Sequence, residues 1–311
     1  MSVTRSPATP AIAPSENARP GRAARSGLVG YGYWWWTVPA LVLTGAVIYL
    51  ATASGAFYAF TNWTGLGPFS FVGVSNFVKV FETAQLLKSL VNTVELAVGF
   101  VVFTNIIGLA FALALNRTLK TRYLLRTLIF MPVVLSPVAV SFVWKFIFAF
   151  NGPLNQILGD AGLGSLRHNW LAEPTLALGC VLVVMVWQNI GFVSVVYLAG
   201  LATVPHELEE AAGIDGAGHW NRFWHITLPL IQPSLAIATT LTLIQGLRVF
   251  DQVMALTGGG PDNATQTLAS EIYQQSFTFQ EFGLGAAMAL LLSVFILVFA
   301  IAQLALTRDR T

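Results

Sequence analysis

Four carboxylates, Glu207, Glu209, Glu210 and Asp215, fall within nine residues of a chain that holds only 14 acidic residues. They belong to the stretch Pro205–Pro229, PHELEEAAGIDGAGHWNRFWHITLP. Metal or acid–base chemistry would need histidine, cysteine or further carboxylates at ligand spacing. His168, His206, His219 and His225 do not supply it, and no HExxH or nucleophile–base arrangement occurs. There is no GxxxxGK[ST] phosphate loop, so the chain is not expected to bind or hydrolyse ATP itself. Cys180 is the only cysteine and reads as a small buried hydrophobe. What remains for the acids is electrostatic: pairing with another surface and setting register against it.

A second group of polar residues lies inside apolar runs, where polar side chains are costly and face protein or a water-filled path. Trp187, Gln188, Asn189 and Gly191 sit near the middle of one run, with Phe192 on an overlapping face. Thr242, Gln245 and Gly246 lie at comparable depth in the next. An aromatic ring beside two amides suits a sugar, since the ring takes C–H groups and the amides both donate and accept. The same amides are equally suited to bonding between helices, and Asn105 has both roles open to it. Arg248 and Asp251, three apart, read as an ion pair or as contacts to an external protein.

The acidic stretch needs a short structured element to present it. Pro205 is placed to open a helix, where its missing N–H costs nothing. Glu207, Glu209 and Glu210 then fall in the first turns, where negative charge suits the helix dipole. Leu208, Ala211, Ala212 and Asp215 follow at spacings of three and four, a narrow face of mostly small side chains. Gly213 and Gly216 bracket the stop, and Gly216 is suited to the left-handed turn that ends a helix. A second helical run, 220–227, carries Trp220, Phe223, Trp224 and Ile226, with Pro229 and Pro233 beyond it. The product is a helix, a turn and a helix lying against a membrane, with acidic edges shaped for a groove on another protein.

Composition sets the surroundings. The chain has 311 residues, 55% hydrophobic and 10% charged, against about 25% charged in soluble domains. It therefore reads as an all-α membrane protein. Six transmembrane helices are placed at about 34–57, 92–115, 124–147, 174–198, 231–250 and 283–306. Residues 1–27 are rich in Pro, Ala, Ser and Arg and cannot bury enough surface to fold, so 1–27 is a disordered tail and 28–311 the membrane domain. A secretory signal is the rival reading of the first span. The span is too long for a signal's apolar core, so it is read as an uncleaved anchor. Arg19, Arg22 and Arg25 precede it, Arg117, Lys120, Arg122 and Arg126 join spans two and three, and Arg308 and Arg310 follow span six. This basic bias makes that side, both termini and the acidic loop cytoplasmic. Pro132 and Pro137 should bend span three and free carbonyls for other partners.

Within the acidic stretch, EAAxxDGA followed by FxxIxLP resembles the EAA loop of binding-protein-dependent ABC importer permeases. The matching residues are Glu210, Ala211, Ala212, Asp215, Gly216, Ala217, Phe223, Ile226, Leu228 and Pro229. FTNW and FVGVSNF within 58–91, LTGGGP at 256–261, IYQQSF and FGLGAAMA extend the resemblance to the carbohydrate-uptake subfamily, over roughly residues 35–306. The maltose type has extra N-terminal spans and a large outer loop that this sequence lacks, and six spans match the shorter sugar permeases.

The resemblance implies a type I ABC importer permease fold with a cytoplasmic coupling helix in an EAA loop at about 203–229. It implies a multi-pass place in a bacterial or archaeal cell membrane. Glu207, Glu210, Ala211, Ala212, Asp215, Gly216 and Ala217 would couple to the ATPase. Trp187, Gln188, Asn189, Phe192, Thr242, Gln245 and Gly246 would line the substrate path, and the loop Gly258, Gly259, Gly260, Pro261 would meet the binding protein. The partners implied are a second homologous permease, two ATP-binding cassette subunits and an extracytoplasmic substrate-binding protein that delivers a sugar. ATP and magnesium would be bound by the partner ATPase, with no cofactor in this chain and no nucleic-acid partner. Glycerol phosphate-type polyol esters are an alternative cargo. An ATP-independent secondary transporter is a further alternative, disfavoured because no Asp or Glu lies at the centre of a span.

Overall fold

The computed structural model describes residues 37–116 and 120–308. The tail 1–27 with Arg19, Arg22 and Arg25, the boundary at residue 28, and Arg117 and Arg310 lie outside the described residues. The chain divides into two units, Met1–Ala53 and Ser54–Thr311. Helix α1 (Thr37–Tyr58), apolar along its 22 residues, is the described part of the first, and its last turn belongs to the second.

The second unit is helical, and its one β-type contact among the described residues is an isolated bridge between Thr61 and Phe71. In order come α2 (Ser75–Glu82), α3 (Ala84–Leu115), α4 (Arg122–Val134), α5 (Pro137–Ile147), α6 (Pro153–Asp160) and α7 (Pro174–Leu201). They are followed by α8 (His206–Ile214), α9 (His219–Leu230), α10 (Gln232–Leu247), α11 (Asp251–Leu256), α12 (Leu268–Tyr273) and α13 (Phe282–Arg308). Helices α1, α3, α7 and α13 are each long and apolar enough to cross a membrane unaided. Two bent pairs bring the candidate spans to six when each pair is counted as one: α4 and α5 meet at 101°, α9 and α10 at 71°.

The break in span three has a local cause. Ser136 precedes Pro137, whose ring pushes it out of the helical region to φ −58°, ψ 135°. Leu135 is extended as well, and its freed carbonyl accepts a 2.9 Å bond from Gln188 Nε2. Span two departs in the other direction, starting at Ala84 rather than 92. Lys88, Asn92 and Thr93 stay helical with partners in the loop before α12 and at its first residue, the carbonyls of Asp262 and Ala264 and the N–H of Leu268, while Ser89 Oγ donates to Leu86 O in its own helix.

The core is where α3, α7 and α10 cross. Backbones approach closely at glycines, as in other membrane bundles. A methyl group on Gly191 of α7 would fall on the Ile129 carbonyl of α4, and one on Gly246 of α10 would come within 2.8 Å of Ala97 Cα. A polar bolt joins the three helices beside these crossings. Tyr197 OH donates to Asn105 Oδ1 at 2.7 Å, and Asn105 Nδ2 donates to Thr242 Oγ1 at 2.9 Å. All three residues are buried.

Asn105→Ala removes both links and leaves the Tyr197 hydroxyl without its acceptor. It is expected to cost about 1–3 kcal/mol, read as a lower thermal unfolding midpoint of the chain in detergent. An unchanged midpoint would mean that apolar packing alone holds the three helices.

Candidate functional site: a braced acidic helix below a polar cavity

Helix α8 carries the acidic stretch. Pro205 is the residue before its first turn, with φ −63° and ψ 130°, one position earlier than a helix-opening proline. Glu207 and Glu209 occupy the first turn. Asp215 closes the helix, and Gly216 turns left-handed at φ +80°. The Gly216 N–H then donates to Gly213 O at 3.2 Å and the Ala217 N–H to Ala212 O at 2.9 Å. These are the paired bonds of a Schellman stop, which satisfy carbonyls that a helix end otherwise leaves open. Glu207, Glu210, Ala211, Asp215 and Gly216 are exposed, while Ala212 and Ala217 are half-buried.

Two residues of this element escaped the sequence reading. Arg222 on α9 reaches back, its Nη1 donating to Glu209 O at 3.5 Å, and so braces α9 against α8. Ile214 is 88% exposed, the greatest exposure among the large apolar side chains described. Its only sequence signal is a large apolar residue in the last turn of a helix whose other large apolar side chain is Leu208. Beside α8, Trp220, Phe223 and Trp224 of α9 line a cavity of about 670 Å³ with Ile106, Leu109 and Leu113 of α3.

The second site is a cavity of about 320 Å³ between α3, the α4–α5 break, α7, α10 and the start of α11. It gathers Gln188, Asn189 and Gln245 of the expected substrate path, together with Phe100, Arg248, Phe250, Asp251 and Gln252. Gln188 is committed on both sides: its amide donates to Leu135 O, and its Oε1 accepts from Gln252 Nε2 at 3.2 Å. Asn189 spends its Nδ2 on Met185 O in its own helix. Gln245 has no side-chain hydrogen bond to another described residue.

The remaining path residues are placed elsewhere. Trp187 stands edge-on to Trp144 with centroids 5.5 Å apart, and Phe192 packs on the cluster around Tyr197. Thr242 belongs to the polar bolt and Gly246 to the α3 crossing. The expected Arg248–Asp251 pair does not form: no ion pair joins them among the described residues. Helix α10 stops at Leu247, and Arg248 (φ −102°, ψ 13°) and Phe250 (φ −133°, ψ −57°) leave the helical path before Asp251 starts α11. The three-residue spacing therefore no longer places them on one helix face.

The loop at 256–261 is tightly held. Gly258 and Gly259 are left-handed at φ +61° and +90°, and the Gly260–Pro261 bond is cis. Asn92 Nδ2 lies within hydrogen-bond reach of the carbonyls of Asn263, Ala264 and Gln266, and Lys88 Nζ donates to Asp262 O. Thr265 Oγ1 donates to Gly260 O at 2.7 Å. Gly258 is exposed, Gly259 buried, and Gly260 and Pro261 half-buried.

An α-helical bundle with two broken spans, an exposed acidic elbow and a polar cavity within the bundle is the architecture of a transport permease. The sequence matches, over residues 105–311, the model of the binding-protein-dependent transport system inner membrane component. It is 35% identical to the multiple sugar-binding transport system permease protein MsmF of Streptococcus mutans, over 89% of this chain and 96% of that one. It is 36% identical to the trehalose/maltose transport system permease protein MalF of Thermococcus litoralis, over 77% of this chain and 81% of that one. Among solved structures, a chain of a bacterial ABC transporter importing the acidic polysaccharide alginate superposes with a TM-score of 0.78 at 24% identity. That match covers 88% of this chain and 94% of the other. The same kind of transporter, in complex with an alginate pentasaccharide-bound periplasmic protein, superposes at 0.76, also at 24% identity, over 88% of this chain and 93% of that one. The chain belongs to the family of binding-protein-dependent transport system inner membrane components, and its fold is that of a type I ABC importer permease.

Gly259→Ala forces a side chain into left-handed backbone and onto Gln266 Oε1, whereas Gly258→Ala meets only open space. The backbone cost, about 1–2 kcal/mol, is common to both. Gly259→Ala should therefore lower the unfolding midpoint further than Gly258→Ala, and equal losses would remove Gln266 from the account.

Proposed function

We propose that the chain is one of two permease subunits of an ATP-driven importer, forming half of the path for a sugar or oligosaccharide. An extracytoplasmic binding protein delivers the cargo. Two ATP-binding cassette subunits, which hold ATP and magnesium, dock on α8 from the cytoplasmic side, where both termini also lie. The observation that carries this reading is the continuity of one helix. α7 lines the cavity with Gln188 and Asn189 and ends at Leu201, four residues before Pro205 and the exposed acidic helix. The twelve residue-to-residue steps from Asn189 to Leu201 span roughly 18 Å at 1.5 Å each. A displacement of α8, braced by Arg222, is passed up α7 and, through α9, into α10. Rigid-body movement of these helices then changes which face of the membrane reaches the cavity.

The names of the relatives, which carry multiple sugars or trehalose and maltose, support a polyhydroxylated cargo. So does the lining. Gln245 and the Oδ1 of Asn189 are amide groups open to the cavity, Arg248 donates, Asp251 accepts, and Phe250 and Phe100 offer ring surface. Arg248, which has no acidic partner within ion-pair distance among the described residues, favours a second reading, the same importer class carrying a glycerol phosphate-type ester. Asp251 in the same cavity opposes it.

Three measurements test this. Glu210→Lys reverses the charge offered to the ATPase, and Gly216→Pro removes the left-handed stop. Each is expected to lower ATP-dependent uptake about tenfold or more while the chain remains in the membrane, and normal uptake by both correctly inserted variants would sink the coupling role. Gln245→Ala should raise the half-saturating cargo concentration several-fold, the effect of about 1 kcal/mol of lost hydrogen bonding, while stability is kept. The same change with unaltered transport would place the cargo elsewhere. Co-purification from membranes in mild detergent should bring a second six-span protein and an ATPase.

A further inference from the structure

Helix α2 (SNFVKVFE) has three distinct faces. Val80 is buried in a cluster with Leu86 of α3 and with Leu284 and Met288 of α13, and Phe77 packs on Phe60 with centroids 5.2 Å apart. Ser75, Lys79 and Glu82 form an exposed polar side. Between these faces Val74, Val78 and Phe81 recur at helical spacing and are 64%, 44% and 50% exposed. Phe69 and Phe71, just ahead of the helix, are exposed as well. Single exposed apolar residues are ordinary, but a contiguous set rimmed by charge marks a surface that meets something.

The height of this face is fixed by α13. Asn76 Nδ2 donates to Ala59 O and Thr61 O at 2.9 and 2.8 Å, and the Gly283 N–H donates to Trp63 O at 2.9 Å. The whole 59–82 segment is thereby fastened to the first turn of α13. From Phe282 to Gln303 that helix is an unbroken apolar run of 22 residues, roughly 33 Å long at 1.5 Å per residue and so close to one hydrocarbon thickness. Its first turn, and α2 with it, lies at a hydrocarbon boundary. Rings crowd the same level: Tyr58 stacks on Trp63 at 4.2 Å, and Trp63 and Phe277 each contact Phe282. Aromatic side chains concentrate at membrane interfaces because one part is apolar and the other tolerates water.

We propose that α2 is an interfacial anchor whose Val74, Val78 and Phe81 face, with Phe69 and Phe71, is seated in the phospholipid leaflet. Lys79 and Glu82 then point to the headgroups and water, the division expected of a helix lying in the membrane plane. Farther along α13, Val294, Leu297, Val298 and Ile301 are exposed, as a lipid-facing span requires. The anchor fixes the outer start of α3, which follows α2 after the single residue Thr83.

The test is depth-dependent fluorescence quenching. Val78→Cys, Phe81→Cys and Lys79→Cys are each labelled with a nitrobenzoxadiazole probe, the parent chain with its buried Cys180 serving as the labelling blank. The full chain, assembled with the subunits that co-purify with it, is placed in phosphatidylethanolamine–phosphatidylglycerol vesicles carrying nitroxide lipids. Quenching by a nitroxide near the headgroup is expected to be about twofold greater at 78 and 81 than at 79, and to fall with a nitroxide deep in the acyl chain. Quenching at 78 and 81 no greater than at 79 would overturn the proposal. That result would follow if a second permease or a bound periplasmic protein covered the face.

Discussion

Within the hydrocarbon layer there is no water to satisfy a polar group, so each backbone or side-chain donor must find its partner in protein. That constraint explains the polar bolt. Asn105, Thr242 and Tyr197 would each be costly alone, and together they close one another's hydrogen bonds across α3, α7 and α10. It also explains why the carbonyl released by the broken third span is taken at once by Gln188. The rigid centre of the molecule follows from these closures together with the glycine crossings at Gly191 and Gly246.

Helix α8 lies outside the packed core, with Glu207 and Glu210 exposed, but its ends are not loose. The Schellman stop at Gly216 fixes the turn, and Arg222 ties the following helix back to Glu209. The adjacent α9 is joined to α10 through a single non-helical residue, Ile231 (φ −89°, ψ 7°). The elbow is therefore joined to the bundle at both ends, to α7 on one side and through α9 to α10 on the other.

The sequence made the spans and the acidic helix legible because both are written in local code. Apolar runs of bilayer length need no partner to be recognised, and Pro205, the glutamates and Gly216 mark a helix by start and stop chemistry. Long-range bonding was not legible. Span two is expected to start at about 92, yet the helix begins at Ala84, and Asn92 and Thr93 bond residues more than 170 positions away. Thr242 read as a lining group and is a bolt. Nothing local separates an amide or hydroxyl that faces a cavity from one that faces another helix.

The cavity itself shows why helical counting located it only in part. Leu135 and Pro137 come from the α4–α5 break, and Arg248, Val249, Phe250 and Asp251 from the break after α10. Non-helical backbone at membrane depth is tolerated where protein buries it or where it borders a cavity. Both conditions hold here: Leu135 O is taken by Gln188, Val249 O accepts from Thr267 Oγ1 at 3.0 Å, and the flanking side chains open into the same space. A wheel drawn through residues 231–250 as one helix puts Thr242, Gln245 and Gly246 on a common path. The real helix stops at Leu247, so the polar lining beyond Gln245 comes from residues that no longer follow the wheel. The chemistry of the cavity is thus set by where the helices end, and the side chains at those ends, Arg248 and Asp251 above all, are freed from pairing with each other to face whatever the cavity holds.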